Sequence, residues 1–252
     1  MIRITEERHM NFYVGTSGYS YPEWKGTFYP QKFPATKMLA YYGERFRTVE
    51  INNTFYRPPT AQLLETWASQ VPANFRFVLK APQEITHVKR LANAGAMVAS
   101  LIETAAGLND RLGPVLFQLP PNFRKDVSLL SDFLASLPAC RVAFEFRHQS
   151  WFDEDVLDLL RDHQTAMCVA DAEDELDVPF VSTANFGYLR LRRPDYDDIA
   201  LRTWAARMQA QGWRECFVFF KHEDAGAGPR MASRLLELLA KGSQPAQQKR
   251  AA

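Results

Sequence analysis

Ala143-Phe144-Glu145-Phe146-Arg147 sets two aromatic residues between polar ones at a spacing of two. Side chains of a strand alternate between its two faces, so Phe144 and Phe146 are directed into a core while Glu145 and Arg147 share the opposite side. The same pattern recurs in Val49-Glu50-Ile51-Asn52, Phe77-Val78-Leu79-Lys80 and Leu116-Phe117-Gln118. Strands are expected at 12–16, 47–52, 75–80, 114–119, 141–146, 166–170, 187–191 and 216–221. Apolar residues at three- and four-residue spacing predict helices over 60–70, 126–137, 153–163, 199–211 and 229–241, with Thr, Asp or Pro near their starts. Strand–helix alternation means a parallel sheet. Eight strands in a chain of 252 residues favour a closed (β/α)8 TIM-like barrel of the α/β class, because closure leaves no exposed edge. Between strands six and seven, Pro179 and a run of acids leave little room for a helix, so that helix is expected to be irregular or missing.

A hydrophobic content of 46% supports a large core, and the barrel is assigned to residues 12–241 as one domain. Residues 1–11 read as a non-core extension and 242–252 as a disordered tail. The net charge of +1 gives no global argument for wrapping nucleic acid or adsorbing to a membrane. Cys140, Cys168 and Cys216 lack close spacing and read as structural thiols. No apolar run suits a signal peptide or a membrane span, so a cytoplasmic location is expected.

The C-terminal ends of parallel barrel strands converge on one mouth. The residues expected there are Ser17, Glu50, Asn52, Lys80, Gln118, Glu145, Arg147, Asp171, Arg190 and Lys221, with His87 and His148 in the adjoining loops. Three acids face four bases, a balance that suits an anionic or polyhydroxylated ligand. Glu50 with Lys80, and Asp171 with Arg190, end neighbouring strands and can also simply satisfy one another. Glu145 shares its face with Arg147, which would keep the carboxylate ionised and oriented. Tyr19, Tyr21, Trp24, Phe55, Tyr56 and Trp151 crowd the loops, where rings either stack on a ligand or pack beneath their own loop. No cofactor is expected. A divalent metal on Glu50, Glu145, Asp171, His148 and Glu223 is conceivable, but no HxH, HExxH or CxxC spacing supports one. Phosphate-binding glycine motifs and the GxSxG elbow are missing, while Gly226 and Gly228 before Pro229 suit a turn opening the last helix.

YVGTSGYSYPEWKGTFYP (13–30), TVEINNTFYRPP (48–59), FRFVLKAPQEITH (75–87), FQLPP (117–121) and AFEFRHQSWF (143–152) together resemble the YecE-like domain-of-unknown-function family, the one numbered seventy-two. The resemblance runs from about Phe12 to Leu239 and implies a TIM barrel of unestablished activity, one that has been likened to sugar isomerases. It places the family's polar signature on Glu50, Asn52, Thr54, Tyr56, Lys80, Thr86, His87, Gln118, Glu145, Arg147, His148, Trp151, Asp171 and Arg190. Two places depart from it: Arg192-Arg193 follow Leu191 where a histidine and glycine are usual, and Lys221-His222 stand where asparagines are usual.

The function expected from these residues is an isomerase- or lyase-like enzyme acting on a small polyhydroxylated or anionic substrate. Glu50 or Glu145 would move a proton with His87 or His148 as partner, while Lys80, Arg147 and Arg190 stabilise negative charge. Ser17, Tyr19, Trp24, Asn52, Tyr56, Gln118, Trp151, Asp171 and Lys221 complete the expected binding surface. A glycoside hydrolase built on Glu50 and Glu145 is one alternative, and a non-catalytic binder of nucleotides or single-stranded nucleic acid is another. A Schiff base at Lys80 is weighed against a lysine that Glu50 would keep protonated.

Overall fold

The computed structural model describes residues 10–173, 176–221 and 224–242. The strands are β1 (Asn11–Thr16), β2 (Thr48–Ile51), β3 (Arg76–Lys80), β4 (Leu112–Gln118), β5 (Val142–Glu145), β6 (Ala166–Asp171), β7 (Phe186–Leu191) and β8 (Glu215–Phe220). All pair in parallel in the order β1-β8-β7-β6-β5-β4-β3-β2. An α/β TIM-like barrel results, and its expected strands differ from these only at their ends. The first expected residue of the barrel, Phe12, is preceded in β1 by Asn11, and the tail beyond 242 lies outside the described residues.

The helices are α1 (Met38–Gly43), α2 (Ala61–Ser69), α3 (Gly95–Ala105), α4 (Val127–Ala135), α5 (Glu154–Asp162), α6 (Asp198–Gln209) and α7 (Ala227–Gly242). Three of the starts announced in the sequence are capped by a side chain: Thr60, Asp126 and Asp197 accept the backbone N–H groups of Leu63, Leu129 and Ala200, whereas Asp153 heads α5 without a cap hydrogen bond. Helices α1 and α3 escaped the sequence reading because neither has such a cap, and α3 opens on a glycine. No helix lies between β6 and β7 among the described residues. There the Thr183 hydroxyl donates to the Thr165 carbonyl and accepts the Met167 N–H, tying the segment to the start of β6. The last helix begins at Ala227, and Gly226 before it sits in the left-handed region (φ +76°), where an added Cβ would lie 2.6 Å from Thr27 Oγ1.

Tyr13, Val78, Leu116, Ala143, Ala166, Cys168, Tyr188, Phe217 and Phe219 fill the barrel interior. Tyr13 stacks on Phe217 at 4.8 Å and Tyr188 packs on Phe219 at 5.4 Å, so the lumen is a solid aromatic floor. The opposite strand faces, with Val49, Leu79, Phe117, Phe144 and Val218, pack under the helices.

The barrel closes between β1 and β2 by an unusual joint. Ser17 bridges Glu50, and the Gly18 N–H donates to the Glu50 carbonyl at 2.8 Å. Below that bridge a tyrosine stands in for a backbone rung. The Thr16 N–H donates to the buried Tyr42 hydroxyl (2.8 Å), which itself donates to the Thr48 carbonyl (3.0 Å). Gly15 permits this approach, since a Cβ there would lie 2.2 Å from the Thr48 oxygen. Replacing Tyr42 by Phe strips both backbone groups of that partner, and the expected loss is about 1–3 kcal/mol, read as a lower urea midpoint at unchanged slope.

Candidate active site

One step above the aromatic floor, the inward side chains of six strand ends form a single hydrogen-bonded chain. Lys80 Nζ donates to Gln118 Oε1 (2.8 Å), and Gln118 Nε2 donates to Glu145 Oε1 (2.8 Å). The second Glu145 oxygen accepts from Arg190 Nη1, whose Nη2 donates to Glu50 Oε1 at 2.8 Å. Glu50 also accepts from Ser17 Oγ (2.7 Å) and from the Tyr188 hydroxyl rising out of the floor (2.6 Å). The orientation of the Gln118 amide follows from its neighbours, because an ammonium can only donate and a carboxylate can only accept.

Burial grades the chain. Glu50 and Glu145 are 0% and 1% exposed and Arg190 is 2% exposed, whereas Gln118 and Lys80 reach 8% and 9%. Approach from solvent therefore comes over Lys80, Gln118 and the half-buried Arg192, whose Nη1 lies 3.5 Å from Glu145. Burial pushes the Glu145 carboxyl up, but Arg190, Arg192 and the Gln118 amide together outweigh it and bring it down to about 2. Desolvation first, and then Arg190, lower Lys80 to about 8 although Glu145 and Glu50 pull it up. His87 is lowered by burial and by Lys80, Arg147 and Arg90, which favours the neutral imidazole. Phe55 joins these two groups: Lys80 Nζ lies 4.0 Å from its ring centre and the His87 ring meets it edge-on at 4.9 Å.

Ser17, Glu50, Lys80, Gln118, Glu145 and Arg190 thus lie together, with His87 beside them. Lys221 acts electrostatically on Lys80, and Arg147 on His87. The pairings expected between neighbouring strand ends are different here. Glu50 is held by Arg190 rather than Lys80, and Glu145 is oriented by Arg190 and Arg192 rather than by Arg147 just beyond its strand. Asp171 has the wrong parity for the ring, since Ala166 and Cys168 of β6 fill the lumen and alternate residues face outward. It binds Arg193 (2.8 Å) and the Tyr196 hydroxyl (2.9 Å) in a separate cavity of about 520 Å³ with Asp195, Trp204 and Arg207.

Two of the expected stacking rings are removed by burial. Trp24 is 0% exposed among Tyr21, Phe28 and Tyr29, and Trp151 is 0% exposed, stacked on Phe146 with its Nε1–H donated to the Phe123 carbonyl. His148 Nδ1 accepts the Ser150 N–H and starts the turn that carries Trp151. Tyr19 and Asn52 line a small cavity of about 110 Å³ with Gly18 and Trp67. Tyr56, 74% exposed, lines a roomier one of about 510 Å³ with Phe55, Pro82, Ile85 and Met97, which shares Phe55 with Lys80 but none of the polar chain. Tyr188 and Arg192 were not among the expected site residues. Both stand two positions from Arg190 and so share its inward parity, which is the signal that would have found them.

Among the described residues no three His, Cys, Asp or Glu side chains gather to hold a metal ion. Of the imagined ligands, Glu50 and Glu145 are parted by a guanidinium, Asp171 faces away, and Glu223, like His222, lies outside the described residues. No described helix is long and apolar enough to cross a membrane, and the three cysteines are unpaired.

Residues 13–252 match the family described as "Protein of unknown function DUF72". The chain belongs to that family. Curated relatives are the UPF0759 protein YecE of Escherichia coli K12, 30% identical over 142 residues, and the UPF0759 protein YunF of Bacillus subtilis, 26% identical over 270 residues. The YecE match spans 56% of this chain and 50% of YecE, so about half of that relative's length is covered, while the YunF match covers 90% and 94%. Among solved structures, a DUF72 family protein from Thermotoga maritima superposes with a TM-score of 0.83 at 28% identity, over 92% of this chain and all of that one.

Removing the guanidinium between two buried carboxylates leaves both uncompensated. Arg190→Met is expected to cost about 3–5 kcal/mol at neutral pH. Glu145 titrates below its ordinary 4.5 in the folded protein, so its contribution is complete above that value and disappears as pH falls toward about 2. Denaturation of the wild type should show this acid decline, and Arg190→Met should show a smaller one, held by Arg192 and Gln118 alone.

Proposed function

We propose that the mouth is an enzyme active site that binds a small anionic or polyhydroxylated molecule and moves a proton on it, in an isomerase- or lyase-like reaction. The observation that carries this reading is the buried chain from Lys80 to Glu50. Gathering two carboxylates, a guanidinium and an amine above an apolar floor costs folding free energy that packed hydrophobic residues would not, and such expenditure is characteristic of functional sites.

The same geometry redistributes the roles. Glu145 near 2 is too weak a base to take a proton at neutral pH, and Glu50 is sealed and already accepts three hydrogen bonds. They hold Arg190 and set the field. Lys80, lowered to about 8, is the group whose charge can change near working pH, and His87, whose neutral form burial and Lys80 favour, stands beside it as a proton acceptor; both flank the end of the chain that reaches solvent. Arg192 and Arg190 supply positive charge to a developing anion.

A glycosidase needs open space between its two carboxyl groups for the sugar or a water, and here the Arg190 guanidinium fills it. The burial of Trp24 and Trp151 likewise takes away two of the rings that a single-stranded nucleic acid would stack on.

A thermal-shift screen of anionic and polyhydroxylated metabolites is expected to find a ligand that raises the melting temperature, with the rise reduced in Arg192→Ala. With that ligand as substrate, Lys80→Met and His87→Gln should each lower kcat by about 10²–10⁴ while leaving the fold intact. Full turnover in both variants would overturn the assignment.

A further inference from the structure

Lys80 is the one buried lysine among the described residues, and its surroundings are those of a nucleophile rather than of a salt-bridge partner. Both nearby carboxylates are spent elsewhere: Glu50 on Arg190, Ser17 and Tyr188, and Glu145 on Arg190, Arg192 and Gln118. Lys80 receives a neutral amide oxygen instead. Gln118 acts as an insulating spacer, taking the lysine on its carbonyl and passing only an N–H on to Glu145. The Phe55 ring lies 4.0 Å from the nitrogen and contributes to its desolvation. The objection that a carboxylate on Lys80 would keep it protonated therefore does not apply to this site.

We propose that Lys80 is a covalent catalyst that forms an imine with a small aldehyde or ketone carrying a carboxylate or phosphate. This deepens the reading of the mouth as an active site and rests on it. The amine nitrogen forms a bond to the carbonyl carbon, giving a carbinolamine. The carbon–oxygen bond then breaks: one amine hydrogen, already passed to that oxygen, and one proton delivered through His87 leave with it as water, and the nitrogen keeps its other hydrogen in a protonated imine. No oxidant or reductant takes part. The protonated imine draws electrons from the adjacent C–H or C–C bond, which is the chemistry that an isomerase or lyase of such substrates requires.

The anion has a seat at the same end. Arg192 lies on the solvent side, 20% exposed, with a contact to Glu145 of 3.5 Å that leaves its other N–H groups available to a ligand. Among the described residues Arg190 Nε is buried with no hydrogen-bond partner, an N–H left over at the centre of an otherwise satisfied network. His87, on the shared Phe55 ring, is the nearby imidazole for the protons that move as water leaves.

The chemistry of the trapping test is direct. The wild-type protein is incubated with pyruvate or with dihydroxyacetone phosphate and sodium cyanoborohydride, and the modified lysine is located by peptide mass spectrometry. The expected result is a reduced adduct concentrated on Lys80, with a rate that rises through a midpoint near pH 8. Gln118 is a positioning residue whose test separates chemistry from packing. Gln118→Glu puts a carboxylate directly on the amine, so the midpoint should move up and trapping at pH 7 should slow about tenfold for each unit of that movement. Adduct on exposed lysines with Lys80 unmodified, or trapping at Lys80 that Gln118→Glu leaves unchanged in a folded protein, overturns the proposal. If a substrate found by the thermal-shift screen is turned over equally by the wild type and Lys80→Arg, the imine and any proton transfer by Lys80 are refuted, while the mouth as an active site using His87 survives. A mouth that binds none of the screened ligands and traps neither probe defeats both.

Discussion

The Arg190 guanidinium is the joint on which the interior of this barrel turns. It belongs to β7, yet its two carboxylate partners come from β2 and β5, neither of which is a hydrogen-bonded neighbour of that strand. Arg190 therefore ties together strands that the backbone ladders do not join. The arrangement works because the lumen is narrow and filled from below, so that strand-end side chains meet across it above Tyr188 and Phe219. With both carboxylates committed to one cation, the amine of Lys80 is left on a neutral amide, and the reactivity argued for the mouth descends from that commitment.

A buried ionic network of this kind is also directional. Its interior end is saturated and dry, built from Glu50, Ser17 and Tyr188. Its outer end, Lys80 and Gln118, is where neutral and exchangeable groups lie, with Phe55 and His87 alongside. Arg192 enlarges the positive field at that end.

Much of this was legible in the alternation of polar and apolar residues. Glu50, Lys80, Gln118, Glu145 and Arg190 each close a run whose other parity is plainly core, and period two assigns their side without knowledge of the partners. What the pattern could not supply was level. Parallel strands in a barrel are staggered, so residues that end neighbouring strands need not be opposite one another; Lys80 aligns with Leu116 and Arg190 with Phe219. That stagger is why the expected Glu50–Lys80 pair did not form, since Glu50 aligns with Val78 and Lys80 stands two residues further along. Asp171 was misplaced for a simpler reason: it ends its strand on the outward side, and the small inward residues Ala166, Cys168 and Ala170 do not advertise which face is which. Loop aromatics gave no directional signal at all, because Trp24 and Trp151 carry the same composition whether a ring faces solvent or the underside of its own turn. Helices α1 and α3 lacked cap residues and so lacked a readable beginning.

The Tyr42 hydroxyl gives the cylinder a seam. Along its other interfaces the barrel is laced by ladders of backbone hydrogen bonds, but between β1 and β2 the lacing is one short bridge and a phenol reaching in from α1. The wall is held along that line by side-chain and bridge contacts rather than by a continuous ladder. That line runs up to Ser17 and Glu50, so a phenol carried by α1 fastens the wall directly beneath the sealed end of the ionic chain.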